Sequence, residues 1–259
     1  MEYFVQKNSI VREIWGKSDT TLFIFAGAAA EFALNKAADW LYFTGRLPTD
    51  PLGRLFSTVT YARKIIFSQN EDALKIIDSI FFIHKGVEQN RGKAIPDWAY
   101  RDVLYMLIHY SISSYELLER KLSDREKEEV YDVFFRFGQR MKLKGLAANF
   151  LEWQQQRITD MRNDLEKSKY TVDLFRQYEK HLGSLRYFLL IEAQKLLVPV
   201  YVRKLLGFKK LSALAFILPF YKLCRKAGLD HLIKKILLPK KYQKQVDELD
   251  IVKHYKFVA

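Results

Sequence analysis

Apolar residues recur at intervals of three and four along almost the whole chain, and no stretch alternates with period two over several strands. That periodicity restricts the chain to an all-α fold. After an irregular start, Asp19 or Thr20 caps a helix expected to reach Thr44, with Gly45 as its stop. Its centre, Ala26-Gly27-Ala28-Ala29-Ala30, carries almost no side-chain bulk, so a neighbouring helix or a flat ligand can approach the backbone closely. Asp50 before Pro51 sets a capping carboxylate ahead of a proline at the first helical position and predicts a helix from Pro51 to about Phe67. Leu52, Leu55, Phe56, Val59 and Ala62 form its apolar stripe, with Arg54, Thr58 and Tyr61 on an adjoining side. The next predicted helix, Glu71 to Val87, places Ala73, Ile76, Ile77, Ile80, His84 and Val87 on its core face.

Further along, Pro96 and Asp97 begin a helix to about Leu122, and Ser123-Asp124-Arg125-Glu126 is a capping box for the helix after it. Gly138 interrupts that pattern without ending it. Helices are expected over Phe150 to Lys167 and Thr171 to Val198, the second stopped by Pro199, and then short basic amphipathic helices punctuated by Gly207, Pro219, Gly228 and Pro239. The organisation expected is one large helical domain over 1–200 with a pocket between core helices, and basic helices over 201–259 packed on it. Nearly half of the 259 residues are apolar and 15% are aromatic, enough for a sizeable interior with room for a cavity.

Charge narrows the partners. Residues 203–245 hold twelve Lys or Arg against one acid, Asp230, while the rest of the chain is almost neutral. Such a stretch attracts phosphates, of nucleic acid or of lipid headgroups, and here the interleaved residues are Leu, Ile, Phe and Val, which favours an anionic membrane surface and no nucleic acid. Leu211, Leu214, Ala215, Leu218 and Tyr221 make an apolar stripe followed by Lys222, Arg225 and Lys226, as an interfacial helix requires, although the same pattern suits a helix that merely covers the core. The longest uncharged runs, Thr20 to Ala30 and Leu211 to Tyr221, stop short of the ~18–20 apolar residues that span a bilayer. Cys224 is the sole cysteine, so neither an intrachain disulfide nor a cysteine-based zinc or iron–sulfur site can be built. With no signal-peptide pattern at Met1 to Arg12, the expected location is the cytoplasm, peripheral on the inner face of a membrane if attached.

Three polar residues stand out against this apolar background. His84 on a buried stripe is either satisfied by a backbone carbonyl or available as a metal ligand, and haem iron commonly takes a neutral imidazole. Arg54, at i and i+4 with Thr58, needs an anion if half-buried, either a ligand carboxylate such as a haem propionate or Glu31 on the preceding helix. Glu31 sits among Ala28-Ala29-Ala30 and Phe32-Ala33, where its charge needs a partner or a proton. No His-Glu-x-x-His, G-x-G-x-x-G, P-loop or G-x-S-x-G competes for the function.

These residues carry a resemblance. Residues 15–120 resemble the catalytic domain shared by rubber oxygenase and the prenyl-chain oxygenase MpaB, through Leu22 to Lys36, the run Asp50-Pro51-Leu52-Gly53-Arg54 with Thr58 four residues on, and Ile83-His84-Lys85-Gly86-Val87. Residues 145–200 follow more loosely, with Trp153, Leu174, Tyr187 and Pro199 in matching surroundings. The resemblance implies a helical protein binding haem b, with His84 as the proximal iron ligand and Arg54 and Thr58 near the haem, and an O2-dependent oxidation of an unsaturated hydrophobic substrate such as a prenyl chain. On that reading Arg54 anchors a propionate or polarises oxygen, Thr58 donates a hydrogen bond or orders a water, and Glu31 acts as acid or base. Two departures are visible: Ser57 stands where rubber oxygenase has a lysine before the threonine, leaving Ser57 beside a more open distal side, and Tyr105-Met106-Leu107 stands where many members have Trp-Val-His. The alternatives are a non-catalytic haem or lipid carrier and a cofactor-free adaptor that uses its basic tail.

Overall fold

The structure, a computed structural model, describes residues 2–45 and 49–226, apart from the side chains of Leu52, Leu55 and Lys226. Among the described residues the chain forms twelve helices and no sheet. These are α1 (Ile10–Trp15), α2 (Ser18–Phe32), α3 (Ala38–Phe43), α4 (Pro51–Phe67), α5 (Asn70–Arg91) and α6 (Asp97–Leu118). The second half supplies α7 (Asp124–Arg140), α8 (Phe150–Asp164), α9 (Lys169–Leu182), α10 (Ser184–Leu197), α11 (Val200–Leu206) and α12 (Leu214–Lys226).

The start and stop chemistry explains most of these boundaries. Asp50 accepts the Gly53 N–H at 3.0 Å with Pro51 in the first turn, which fixes the start of α4 as predicted. Ser123 and Glu126 cap one another's backbone at the start of α7. Gly45 and Gly207 adopt left-handed φ just past α3 and α11, where a side chain would be strained.

Several predicted boundaries differ. α2 starts at Ser18 after Lys17, so Asp19 and Thr20 lie in its first turn instead of capping it. The irregular start contains α1, capped by Ser9, which accepts the Val11 N–H at 3.1 Å. The helix expected to reach Thr44 ends at Phe32, and α3 follows after an elbow at Asn35. The cause is Asn35 itself: its amide donates to Asp102 Oδ2 at 2.8 Å while its carbonyl oxygen accepts the Ala37 N–H at 2.8 Å, so the side chain replaces a helical turn. Backbone bonds from Lys36 to Asp164 and from Glu166 to Leu34 strap the elbow to the end of α8. Gly183, at φ +75°, splits the expected Thr171–Val198 helix into α9 and α10. Pro219 lies inside α12 instead of ending a helix, whereas Gly228 and Pro239 lie outside the described residues.

α2 is the hub, lying against α6 on one side and α10 on the other. Its bare centre makes this possible, since a Cβ built on Gly27 would stand 2.2 Å from the Tyr110 ring. The small-residue strip is therefore filled by a neighbouring helix. Trp15 is sealed against Phe25 and Phe134 and donates its indole N–H to Ser111 Oγ at 3.1 Å, tying α1 to α6. On α4 and α5, Phe56, Val59, Ala73 and Ile77 are buried as the stripes predict; the predicted Leu52 and Leu55 side chains lie outside the described residues.

Candidate active site around His84

α4 and α5 are joined by the two residues Ser68 and Gln69, so they pack as neighbours and bring the start of α4 toward the second half of α5. The amino-terminal stretch holds this turn, with Tyr3 bridged to Gln69 and the Asn70 N–H donated to the Glu2 carbonyl at 3.0 Å. Arg54 and His84 are the residues this arrangement brings together.

His84 is half-buried, and its Nδ1 lies 2.8 Å from the Ile80 carbonyl. A carbonyl can only accept, so Nδ1 carries the proton and Nε2 keeps the lone pair. Burial, with the nearby Arg54 charge adding to it, pushes the imidazole below its ordinary pKa, and the ring is neutral at pH 7. Tyr100 meets the ring edge-on with centroids 5.3 Å apart. Its hydroxyl donates to Glu88 Oε1 at 3.1 Å, which also accepts the Ile95 N–H at 3.0 Å, while Glu88 Oε2 pairs with Lys85 at 2.7 Å. Burial opposes the Glu88 charge, but these donors prevail and hold the carboxyl below the usual range. The imidazole is thus fixed by a carbonyl on one edge and by a tyrosine that is itself anchored.

Thr58 stands on α4 one turn after Arg54 and donates its hydroxyl to the Arg54 carbonyl at 3.2 Å; Ser57 and Thr58 are both half-buried. Beyond His84, a Cβ on Gly86 would meet nothing within 4 Å, and Phe82 and Ile83 project outward, 69% and 49% exposed. Phe82 and Gly86 lie two positions from His84, about 160° round the helix from the imidazole, so this open, partly apolar face of α5 is its outer side and not the side that carries the ring. Among the described residues no three His, Cys, Asp or Glu side chains gather as a metal site, so an imidazole here would serve as a single protein donor to a group bringing its own ligands.

Glu31 is placed differently. Its Oε2 accepts from Tyr110 at 2.8 Å and from Arg157 at 2.7 Å, with both charged groups almost fully buried. The expected alternative partner, Arg54, is not the one it takes. His109 lies beside this cluster, with burial and the Arg157 charge pushing its pKa far down, and its Nε2 is enclosed without a hydrogen-bond partner among the described residues. The sequence reading missed Tyr100, Glu88, Arg157 and Tyr110. Glu88 had a signal, since it follows His84 at i+4 on the same face. Arg157, 126 residues from Glu31, had none.

Comparison with known proteins bears on this geometry. The family described as ER-bound oxygenase mpaB/B'/Rubber oxygenase, catalytic domain, matches residues 15–226, which covers α2 through α12 and extends beyond the segments that carried the resemblance. No curated protein and no solved structure matches the chain.

Proposed function

Because the chain belongs to the mpaB/rubber oxygenase catalytic-domain family, we propose that it is a haem b-dependent oxygenase that uses O2 on an unsaturated, hydrophobic, prenyl- or lipid-like substrate, with His84 as the proximal iron ligand. The observation that carries this reading is the state of His84: a neutral ring, Nδ1 committed to the Ile80 carbonyl, Nε2 left as a donor, and the Arg54 cation close by. Those residues fit a dianionic iron porphyrin. When bound, the haem supplies the oxygen activation that no side chain here can.

The chain's own residues bind and orient. His84 Nε2 holds the iron, and the Tyr100–Glu88 pair keeps the imidazole plane from turning. Arg54 stands close enough to His84 to meet a propionate. Ser57 and Thr58 lie one turn further on, and the second lone pair of the Thr58 hydroxyl accepts a water or a ligand hydroxyl. Glu31 as acid or base would have to act from within its pair with Arg157, which makes it the least favoured of the catalytic assignments. The basic stretch 203–245 meets an anionic membrane from which such a substrate is drawn, and the chain works in the cytoplasm at the inner membrane face; no described helix is long and apolar enough to cross a bilayer.

The visible spectrum tests the reading. Purified protein, with haem added if needed, is expected to show a Soret band that His84→Ala loses while its thermal midpoint holds. Protein that stays colourless with excess haem points instead to the cofactor-free adaptor. Coloured protein that consumes no O2 with prenylated quinones or free olefins points to the carrier.

A further inference from the structure

We infer that the outer face of α12 is an interfacial surface that seats in the headgroup region of an anionic bilayer, an inference that rests on the reading of residues 203–245 as lipid-facing and assigns the side chains that enter. α12 is apolar on two sides, not one. The protein uses part of the side predicted from sequence for itself, while Leu211 and Ala215 of that stripe stay exposed: Leu214 packs on the main core, Tyr221 donates to Asp19 Oδ2 at 3.0 Å, and Arg225 pairs with the same carboxylate at 3.1 Å and with Glu119. At the near end, Glu192 accepts the Ala213 N–H, and Ser212 donates to the Glu192 carbonyl at 2.9 Å. The helix is thereby pinned at both ends and cannot roll to hide its other side.

That other side carries Phe216, Ile217, Phe220 and Leu223, at i, i+1, i+4 and i+7, and these are 80%, 52%, 64% and 64% exposed. Leu211, just before the helix, extends the patch. Two phenylalanines and three aliphatic side chains on one outward strip exceed the scattered apolar exposure of an ordinary surface. The charge around the strip selects its occupant. No Asp or Glu occurs between Glu192 and Asp230, while Lys204, Lys209 and Lys210 are exposed and Lys222 borders the apolar strip. An apolar face one helix wide, on a stretch that carries lysines and no acid of its own, matches acyl chains beneath anionic headgroups. The helix spans 13 residues, long enough to lie in the interface and too short to cross it.

Vesicle sedimentation of the full chain tests this, using phosphatidylcholine vesicles with and without phosphatidylserine. Wild type is expected to partition onto the phosphatidylserine vesicles, less so as salt rises, and F216S/F220S is expected to weaken that partition by more than about tenfold with an unchanged thermal midpoint. F220W is expected to shift its emission to the blue on binding and to be quenched by brominated lipid. If F216S/F220S binds as well as wild type, the inserted face is wrong while the electrostatic reading of 203–245 stands. If wild type binds neither vesicle, both fall. If wild type is a dimer that F216S/F220S dissociates, with no response to vesicles, the face belongs to a second copy of the chain and the inference is overturned. His84→Ala is expected to partition as wild type does, which separates this result from the haem assignment.

Discussion

The two polar clusters are built from similar residues and treated in opposite ways. Where α2, α6 and α8 meet, Glu31 is paired with Arg157 and Tyr110 with almost no access to water, although Arg157 Nε and the neighbouring His109 Nε2 have no hydrogen-bond partner among the described residues. Where α4 meets α5, His84 is half-buried, with Nδ1 held by the Ile80 carbonyl, Tyr100 edge-on to the ring and Nε2 keeping its lone pair. A closed network contributes to the uniqueness of the packing, because each member is costly to leave alone. A half-closed one leaves a donor atom for a ligand. The difference supports the proposed reading of the α4–α5 side as the place for chemistry and of the α2–α6–α8 side as frame.

Breaking the frame should cost most. Arg157→Leu leaves the Glu31 carboxylate buried with only the Tyr110 hydroxyl, and urea unfolding should show a loss of about 3–5 kcal/mol, much of it restored in the double replacement Glu31→Met/Arg157→Leu. A double variant as unstable as the single one would contradict this account of the frame. Next comes Gly27→Ala, whose added methyl meets the Tyr110 ring and should destabilise by about 1–3 kcal/mol in the same assay.

Asp102 offers a pH-dependent sharpening. Burial, then the neighbouring Asp164 charge, raises its carboxyl from 3.8 to about 7, against the hydrogen bond from Asn35. The folded chain therefore binds this proton more tightly than the unfolded one. The resulting stabilisation is complete below the unfolded value and disappears as pH rises through the folded one. Asp102→Asn keeps an acceptor for Asn35 and removes that loss, so its stability relative to wild type should improve by about 4 kcal/mol between about pH 4 and about pH 8, read from urea midpoints. A pH-independent difference would refute the assignment. The smallest effect belongs to the open site. Tyr100→Phe should leave the thermal midpoint in place yet weaken haem retention by about tenfold, measured by transfer to apomyoglobin. An equal loss of stability would make Tyr100 part of the frame instead.

The sequence made the all-α class and most helix starts legible, because capping pairs such as Asp50 with Pro51 and Ser123 with Glu126 act over three residues. It made His84 and Arg54 legible for the same reason, since adjacent helices joined by a short turn must pack. The elbow at Asn35 was hidden, as its decisive partner, Asp102, lies 67 residues away. Glu31 was visibly in need of a counter-charge, but nothing local could choose Arg157 over Arg54. On α12 the periodicity found Leu214 and Tyr221, which turn inward, but counted the exposed Leu211 and Ala215 with them and gave no warning of the apolar strip on the other side.

The strap between the Asn35 elbow and the end of α8 has a mechanical consequence for the far end of α5. α3 emerges directly from the elbow, and its Asp39 pairs with Arg91 at 2.7 Å while Trp40 lies 4.0 Å beneath the same guanidinium. α5 is thus moored at Arg91 through α3 and the elbow, and at Gln69 through Tyr3. With both ends tied, the helix cannot slide along its axis, and the height of the imidazole relative to Arg54 is set by anchors that lie at neither residue.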